Sequence, residues 1–274
     1  MMKIYTLNVG QGQFVVVTGQ KEAFIVDTYV PLSPKTDIVN VKGALASILQ
    51  GKNLIGLMVT GFDADHFNEV GMRIVLNKYR PDWIMYPQYY KKTGNADACF
   101  AVIKSFEQQK DFRKISVSLS KNDTRFYNSS ISSEFEFEVF SPHSADMTSS
   151  NNCSLVCKVK ELSTGATYLI TGDTENDRWD SITKYFGNSL RSQVLDAPHH
   201  GSKNGISADA MKLIKPHTVL VSAGYQNQYG HPDREATNLF AAHATNWYST
   251  HASGGISLVT HVSADEVKTY KFEP

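Results

Sequence analysis

Apolar and polar positions alternate from the start of the chain. "KIYTLNV" (3–9), "QFVVVTG" (13–19) and "EAFIVDT" (22–28) each carry a period of two, which predicts three strands in hairpin succession, with Gly10, Gly12 and Gly19 at the turns. "VNVKGALASILQ" (39–50) has helical spacing, and "LIGLMVT" (54–60) reads as a buried strand. A helix over 67–79, a strand at "DWIMYP" (82–87) and a helix near 96–110 come next. The stretch 85–135 carries the weakest periodicity. Strands then resume with "EFEFEVF" (134–140), "CSLVCKVKEL" (153–162) and "ATYLIT" (166–171). A helix at 175–186, a strand "SQVLDA" (192–197), a helix near 207–214, a strand "TVLVSA" (218–223) and a helix near 233–243 follow. "GGISLVTHV" (254–262) and "VKTYKF" (267–272) close the chain as strands.

Each half thus begins with strands and goes on to alternate strands with helices. That order predicts an α/β (α+β) fold with two sheets packed face to face and helices outside, a four-layer αββα sandwich, and not one doubly wound parallel sheet. With 274 residues, no repeat and no clear linker, residues 1–274 are expected to form one large domain.

Composition changes this picture little. Lys+Arg 27 balances Asp+Glu 27, so net charge gives no reason for unspecific adhesion to nucleic acid or membrane. Cys99, Cys153 and Cys157 form no disulfide framework; Cys153 and Cys157 are expected on one face of a strand as small buried hydrophobes. The first residues lack a long apolar core, and no run approaches a membrane span. The expectation is a soluble, cytoplasmic protein.

Candidate chemistry gathers where apolar runs end. "TGFDADH" (60–66) places Asp63, Asp65 and His66 within four positions after a buried strand. Carboxylate oxygens and imidazole nitrogens suit Zn²⁺, Mn²⁺ or Fe, and a divalent cation relieves the repulsion between clustered acids. The plainer alternative is a solvated loop in which Asp63 or Asp65 caps the next helix. Asp173 follows "YLIT" through a glycine, a common setting for a turn aspartate. "APHHGS" carries adjacent His199 and His200, of which one can bind metal while the other meets an oxyanion or moves a proton. His143 in "FSPHS" is a remote candidate to replace a missing ligand, and "NVGQGQ" fits no phosphate-binding fingerprint.

Taken together, "LNVGQGQFVVV", "FIVDT", "DADH", "NNCSLV", "LITGDTE", "PHHGSKNG", "VSAG", "NQYGHP" and "STHASGGISL" resemble, in order and spacing, the metallo-β-lactamase-like hydrolases. The closest resemblance is to the C-terminal hydrolase domain of the ComEC competence proteins and its stand-alone relatives. The resemblance implies the sandwich fold already read from the pattern. It implies that Asp65 and His66 bind the second metal position, that Asp173 bridges two positions, and that one of His199 and His200, with His200 favoured, completes the second. His199 and His231 then face the substrate or handle its proton, beside Asp65 in the catalytic set. The signature's first histidine is replaced by Gly61, and another first-position ligand falls near Asn151 or Asn152. Asp63 could still bind a looser ion. One Zn²⁺ or Mn²⁺, a weak second ion, or a site without catalysis all stay open.

The activity so implied is hydrolysis of a phosphodiester, as a phosphodiesterase or nuclease acting on nucleic acid or a nucleotide through metal-activated water. "YPQYYKK" (86–92) sets three tyrosines beside two lysines, a pattern that could stack bases and neutralise phosphates, and Lys203 follows the histidine pair. The alternatives are a degenerate binding or sensor subunit that works with a partner protein, and a hydrolase of a small ester, thioester or lactam.

Overall fold

The computed structural model describes residues 1–33, 39–89, 91–109, 112–120, 123–144 and 149–274. Tyr90 and the last residue of the helix expected near 96–110 lie outside them. Along the chain come β1 (Met2–Thr6), β2 (Val15–Thr18), β3 (Glu22–Val26), α1 (Val41–Ile48), β4 (Asn53–Met58), α2 (Glu69–Tyr79), β5 (Trp83–Pro87), α3 (Gly94–Glu107) and β6 (Arg113–Val117). The second half holds β7 (Arg125–Tyr127), β8 (Phe135–Ser141), β9 (Val156–Glu161), β10 (Thr167–Ile170), α4 (Asn176–Phe186), β11 (Val194–Asp196), α5 (Ala208–Ile214), β12 (Thr218–Val221), α6 (Arg234–His243), β13 (Asn246–Ser249), β14 (Ser257–Val262) and β15 (Val267–Phe272).

The strands form two sheets, ordered β15-β14-β1-β2-β3-β4-β5-β6 and β13-β12-β11-β10-β9-β8-β7. Both change character partway. β1, β2 and β3 pair antiparallel, and β3 to β6 pair parallel. β7 to β10 pair antiparallel, and β10 to β13 pair parallel. The parallel part of each sheet needs crossover helices, which is why the sequence pattern switches from hairpins to strand–helix alternation.

Alternating side chains separate three hydrophobic layers. Ile4, Val15, Val17, Phe24 and Val26 from the first sheet meet Phe135, Phe137, Val139 and Tyr168 from the second between the sheets. Val16, Ala23 and Ile25 point the other way, onto buried residues of α1, α2 and α3. The opposite face of the second sheet packs α4, α5 and α6 through Trp179, Met211 and Phe240. Phe24 stands edge-on to Phe135 and Phe137 at 5.3 and 5.2 Å between ring centroids, so it joins the two sheets. Truncating so deeply buried a ring to alanine costs on the order of 3–5 kcal/mol. The fold is the αββα sandwich predicted from the pattern.

Three strands were not predicted: β6, β7 and β13. All lie at sheet ends. β6 keeps Arg113, Lys114 and Ser116 exposed, so its apolar signal is only Ile115 and Val117. An edge strand is under little demand for apolar residues on both faces. Cys157 sits in β9, but Cys153 lies in the short turn before it, so the two do not share a strand face; both are buried and free. Burial pushes the Cys157 thiol well up and that of Cys99 up to about 12.

α2 begins immediately after the "DADH" segment. The Asn68 side chain caps it by accepting from the Gly71 amide at 2.9 Å. Gly71 is required there, because a Cβ would lie 1.6 Å from the Thr28 carbonyl oxygen. The first turn of α2 is thereby clamped against the end of β3, and the loop before it is held at both ends. Among the described residues no helix is long and apolar enough to cross a membrane.

Candidate metal centre

Loops after β3, β4, β10, β11 and β12 bring the polar residues together at one edge of the sandwich. The β10 loop turns at Gly172, where φ is +53° and an added Cβ would fall 2.9 Å from Thr60 Cβ and 3.0 Å from Ser154. The Asp173 amide donates to Ser154 Oγ at 2.9 Å, and the His199 amide donates to the Gly172 carbonyl at 3.0 Å. His199 and His200 both adopt left-handed backbone, φ 51° and 55°, a conformation that costs about 1–3 kcal/mol at each non-glycine residue. The short Pro198–Gly201 turn holds it and aims the two imidazoles differently.

Asp65, His66, Asp173 and His200 each offer one donor atom, and these four atoms lie within 4.8 Å of one another. His66 Nε2 is 2.9 Å from Asp173 Oδ2, in a contact without hydrogen-bond geometry. His200 Nε2 is 3.5 Å from Asp65 Oδ2 and 3.7 Å from Asp173 Oδ1. His66, Asp173 and His200 are buried, and Asp65 is half-buried. His66 Nε2, His200 Nε2 and Asp173 Oδ1 have no hydrogen-bond partner among the described residues. Buried, unsatisfied donors facing one another are costly unless something sits between them. A divalent cation fits that donor set: two imidazole nitrogens and two carboxylates.

The outer nitrogen of each imidazole is already assigned. His66 Nδ1 donates to Asp27 Oδ2 at 2.8 Å, and Asp27 also accepts from the Thr60 amide at 2.7 Å and the Thr60 hydroxyl at 2.6 Å. His200 Nδ1 donates to the Ser222 carbonyl at 2.8 Å. With Nδ1 carrying the proton, each Nε2 keeps its lone pair for a metal, the usual task of an outer-shell acceptor.

Without a cation, protons take its place. Burial pulls the His66 imidazole down, but the Asp173 and Asp27 carboxylates overcome it and hold it well above the usual imidazole range. His200 is likewise raised against burial, by Asp173 and Asp65. Asp173 is held far below the carboxylate range because His66 and His200 outweigh its burial. Burial pushes the Asp27 carboxyl up, and its three donors pull against it.

The other candidates stand around this group. Asp63 does not join it: Lys91 Nζ lies 2.6 Å from Asp63 Oδ1, and Ser150 donates to Oδ2. Gly61 leaves room, since an added Cβ would be 3.8 Å from the His66 ring. The Asn151 side chain donates to Glu175 Oε1 at 3.2 Å, and the Asn152 side-chain Oδ1 accepts from the Glu175 backbone amide at 3.3 Å. His199 Nδ1 is 3.3 Å from Glu175 Oε1, and its ring stands edge-on to His231 at 5.6 Å. Asp65, Asp173, His199, His200 and His231, with Lys91, line one cavity of about 520 Å³.

His143 is elsewhere. It is fully buried, with Arg178 Nη2 2.8 Å from its Nδ1. In the "YPQYYKK" stretch Tyr90 lies outside the described residues, and Tyr86 and Tyr89 are partly buried and pack against the core that includes α3, with Tyr86 against Phe62 and Phe100. Lys203 is exposed, and its amide donates to Asp233 Oδ2 at 2.7 Å.

No family model matches the chain. ComE operon protein 3 of Bacillus subtilis (strain 168) is 32% identical over 123 residues, which is 45% of this chain and 16% of that protein. Competence protein ComA of Neisseria gonorrhoeae is 31% identical over 140 residues, 50% of this chain and 20% of that one. The matched stretches therefore cover a fifth or less of these relatives. Among solved structures, a metallo hydrolase from the archaeon Ignicoccus hospitalis superposes with a TM-score of 0.55 at 13% identity, over 99% of this chain and 100% of its own. The chain has the metallo-β-lactamase-type fold. Its sequence relatives are the competence proteins. CmlA, a diiron β-hydroxylase from Streptomyces venezuelae, shares the fold with a TM-score of 0.58 at 12% identity, over 98% of this chain and 54% of that one. The scaffold thus carries more than one chemistry, and function has to be argued from the site.

Sequence reasoning passed over several residues that build this site. Asp27, in "FIVDT", was given no role; its signal was an acid directly after a strand of buried apolar residues, and its backbone there has φ +56°. Gln13 donates to Asp196 Oδ2, and burial, reinforced by the nearby Asp27 charge, pushes the Asp196 carboxyl up to about 7. Glu175, which links Asn151 to His199, follows the glycine–aspartate turn by two positions.

Proposed function

We propose that this protein is a metal-dependent hydrolase of phosphodiesters, with a single well-built cation position. The observation that carries the proposal is the set of buried, mutually facing and otherwise unpartnered donors of His66, Asp173 and His200, with Asp65 at the cavity edge. A divalent ion held there supplies Lewis acidity toward a phosphoryl oxygen and lowers the pKa of water. The protein's own residues do the rest. Asp27 and the Ser222 carbonyl fix the tautomers of His66 and His200. Lys91, held against Asp63, places an ammonium in the cavity wall for an anionic oxygen of the substrate. His199, oriented by Glu175 and facing His231, is placed to move a proton to the leaving oxygen. A nucleic acid or nucleotide as the source of the ester is supported by the likeness to competence proteins.

The test is turnover of bis(p-nitrophenyl) phosphate by protein loaded with Mn²⁺ or Zn²⁺. Hydrolysis that chelator abolishes and that falls at least a hundredfold in Asp65→Ala and His66→Ala supports the proposal; turnover that persists in both variants sinks it. One observation favours a second reading, a binding or sensor subunit without catalysis. Gly61 offers no side-chain ligand, Asp63 is engaged by Lys91 and Ser150, and among the described residues no second group of three or more ligating side chains is gathered. A protein that holds one ion per chain and hydrolyses no phosphodiester would establish that reading.

A further inference from the structure

A second, larger cavity of about 1010 Å³ adjoins the metal cavity, and the two share Gln11, Tyr29, Ala64 and Gln228. Their chemistry differs sharply. The metal cavity is lined by three aspartates, three histidines and a lysine. The neighbouring one has no Lys, Arg, Asp, Glu or His among its described lining residues. Its described polar side chains are carboxamides, tyrosine hydroxyls and the Ser33 hydroxyl, carried by the loop after β1 (Asn8 to Gln11), the loop after β3 (Tyr29 to Ser33), the loop after β12 (Gly224 to Gln228), and the residues Asn68 and Asn95.

Some of these carboxamides hold the walls in place. Asn68 caps α2, and Asn227 donates to the Gly224 and His231 carbonyls at 2.8 and 2.5 Å. Others keep capacity in reserve. Gln11 spends its carbonyl oxygen on the Gly224 amide at 3.1 Å, which leaves its amino group. Asn95 spends its amino group on the Phe67 carbonyl at 2.8 Å, which leaves its oxygen. Tyr225 is half-exposed on the wall. The described lining residues therefore offer hydrogen-bond donors, acceptors and aromatic faces without formal charge.

A nucleic-acid strand threaded through such a space would bring phosphates where none of the described lining residues offers a cation, at an electrostatic disadvantage. A neutral polar ring loses nothing on that count. It gains stacking on tyrosine and paired hydrogen bonds, in a volume suited to a small ligand. We propose that this cavity binds the neutral, hydrogen-bonding ring substituent, nucleoside or sugar, on one side of the ester cleaved at the metal centre. The inference rests on the phosphodiesterase reading for the position of the ester, and it narrows the substrate to a short one: a single anionic centre beside an uncharged body.

Two kinds of measurement test it. Metal-free protein titrated with thymidine and, separately, with methyl β-glucoside, followed by NMR, reads binding without any need for turnover. Binding of either supports the proposal and names the source of the ring; binding of neither at tens of millimolar overturns it. Turnover then locates the effect. Tyr225→Ala touches this cavity alone and is expected to raise KM about tenfold for thymidine 5′-(p-nitrophenyl) phosphate, while bis(p-nitrophenyl) phosphate changes less than twofold. Equal effects on both esters overturn the assignment. Gln226→Lys places a cation at the wall. If that variant binds and cleaves a twelve-residue oligothymidylate better than the parent, the cavity carries a polyanionic strand and the proposal is wrong. If the parent hydrolyses neither ester, the phosphodiesterase reading fails, and the titration still decides whether the ring site exists.

Discussion

Replacing Asp27 by asparagine tests how the centre is held, because Asp27 touches no cation and reaches it only through His66. Three donors converge on its two oxygens: the Thr60 amide, the Thr60 hydroxyl and His66 Nδ1. Asparagine has one acceptor oxygen, so its amino group must face at least one of these donors. With Asp27 fully buried, water cannot relieve that conflict, and one unsatisfied buried donor costs about 1–3 kcal/mol. Imidazole orientation and basicity both suffer, and loss of an outer-shell partner of this kind typically lowers metal affinity about 10–100-fold. That corresponds to about 1.4–2.7 kcal/mol of binding free energy. The assay is competition for Zn²⁺ or Mn²⁺ against a chromophoric chelator, with thermal melting of metal-free protein beside it. For a chain of this size each kcal/mol shifts Tm by about 2–4 °C. We expect weaker metal binding together with a lower metal-free Tm. An Asp27→Asn protein that binds metal within twofold of wild type would refute the argument that this carboxylate sets the His66 ligand.

Asp63→Asn is expected to leave the number of bound ions per chain unchanged by elemental analysis, because Lys91 and Ser150 already occupy both carboxylate oxygens. Lys91→Met is expected to raise KM for a phosphodiester about tenfold with metal content unaltered; an unchanged KM would remove Lys91 from the substrate's path. The metal-free and metal-loaded proteins should differ in their response to pH. The raised His66 and His200 values contribute stability that is complete below the unfolded value of about 6.5 and is lost as pH rises through the folded values. The depressed Asp173 contributes above about pH 3.9 and loses its share only as pH falls through its folded value. Metal-free protein should therefore lose Tm from pH 6 to 8.5, while the gain in Tm on adding metal grows, since ligation requires deprotonated imidazoles. A gain that stays flat across that range would contradict the ligand assignment.

What the sequence revealed follows from where each residue lies. β2, β3 and β4 were found from their apolar content, although β2 and β3, read as alternating, are buried on both faces like β4. β6, β7 and β13 end their sheets, and their mixed composition hid them. Asp65 with His66, and the adjacent His199 and His200, stood out because acids and imidazoles gathered at strand ends are unusual in plain turns, whereas Asp173, in a common turn setting, and the preference for His200 came only with the resemblance. Asp27 and Glu175 did not stand out, because their importance lies in a partner remote along the chain. Lys91 shows the same limit: beside three tyrosines it read as a nucleic-acid platform, yet its partner, Asp63, lies 28 positions away on another loop.

Elemental analysis of protein purified without added metal, repeated on His66→Ala, Asp173→Ala and His200→Ala, tests the central claim most directly. The account predicts close to one divalent ion per chain in the parent and almost none in each variant, with folding of the variants verified by circular dichroism. Variants that fold and still carry a full ion would show that these side chains do not share a cation.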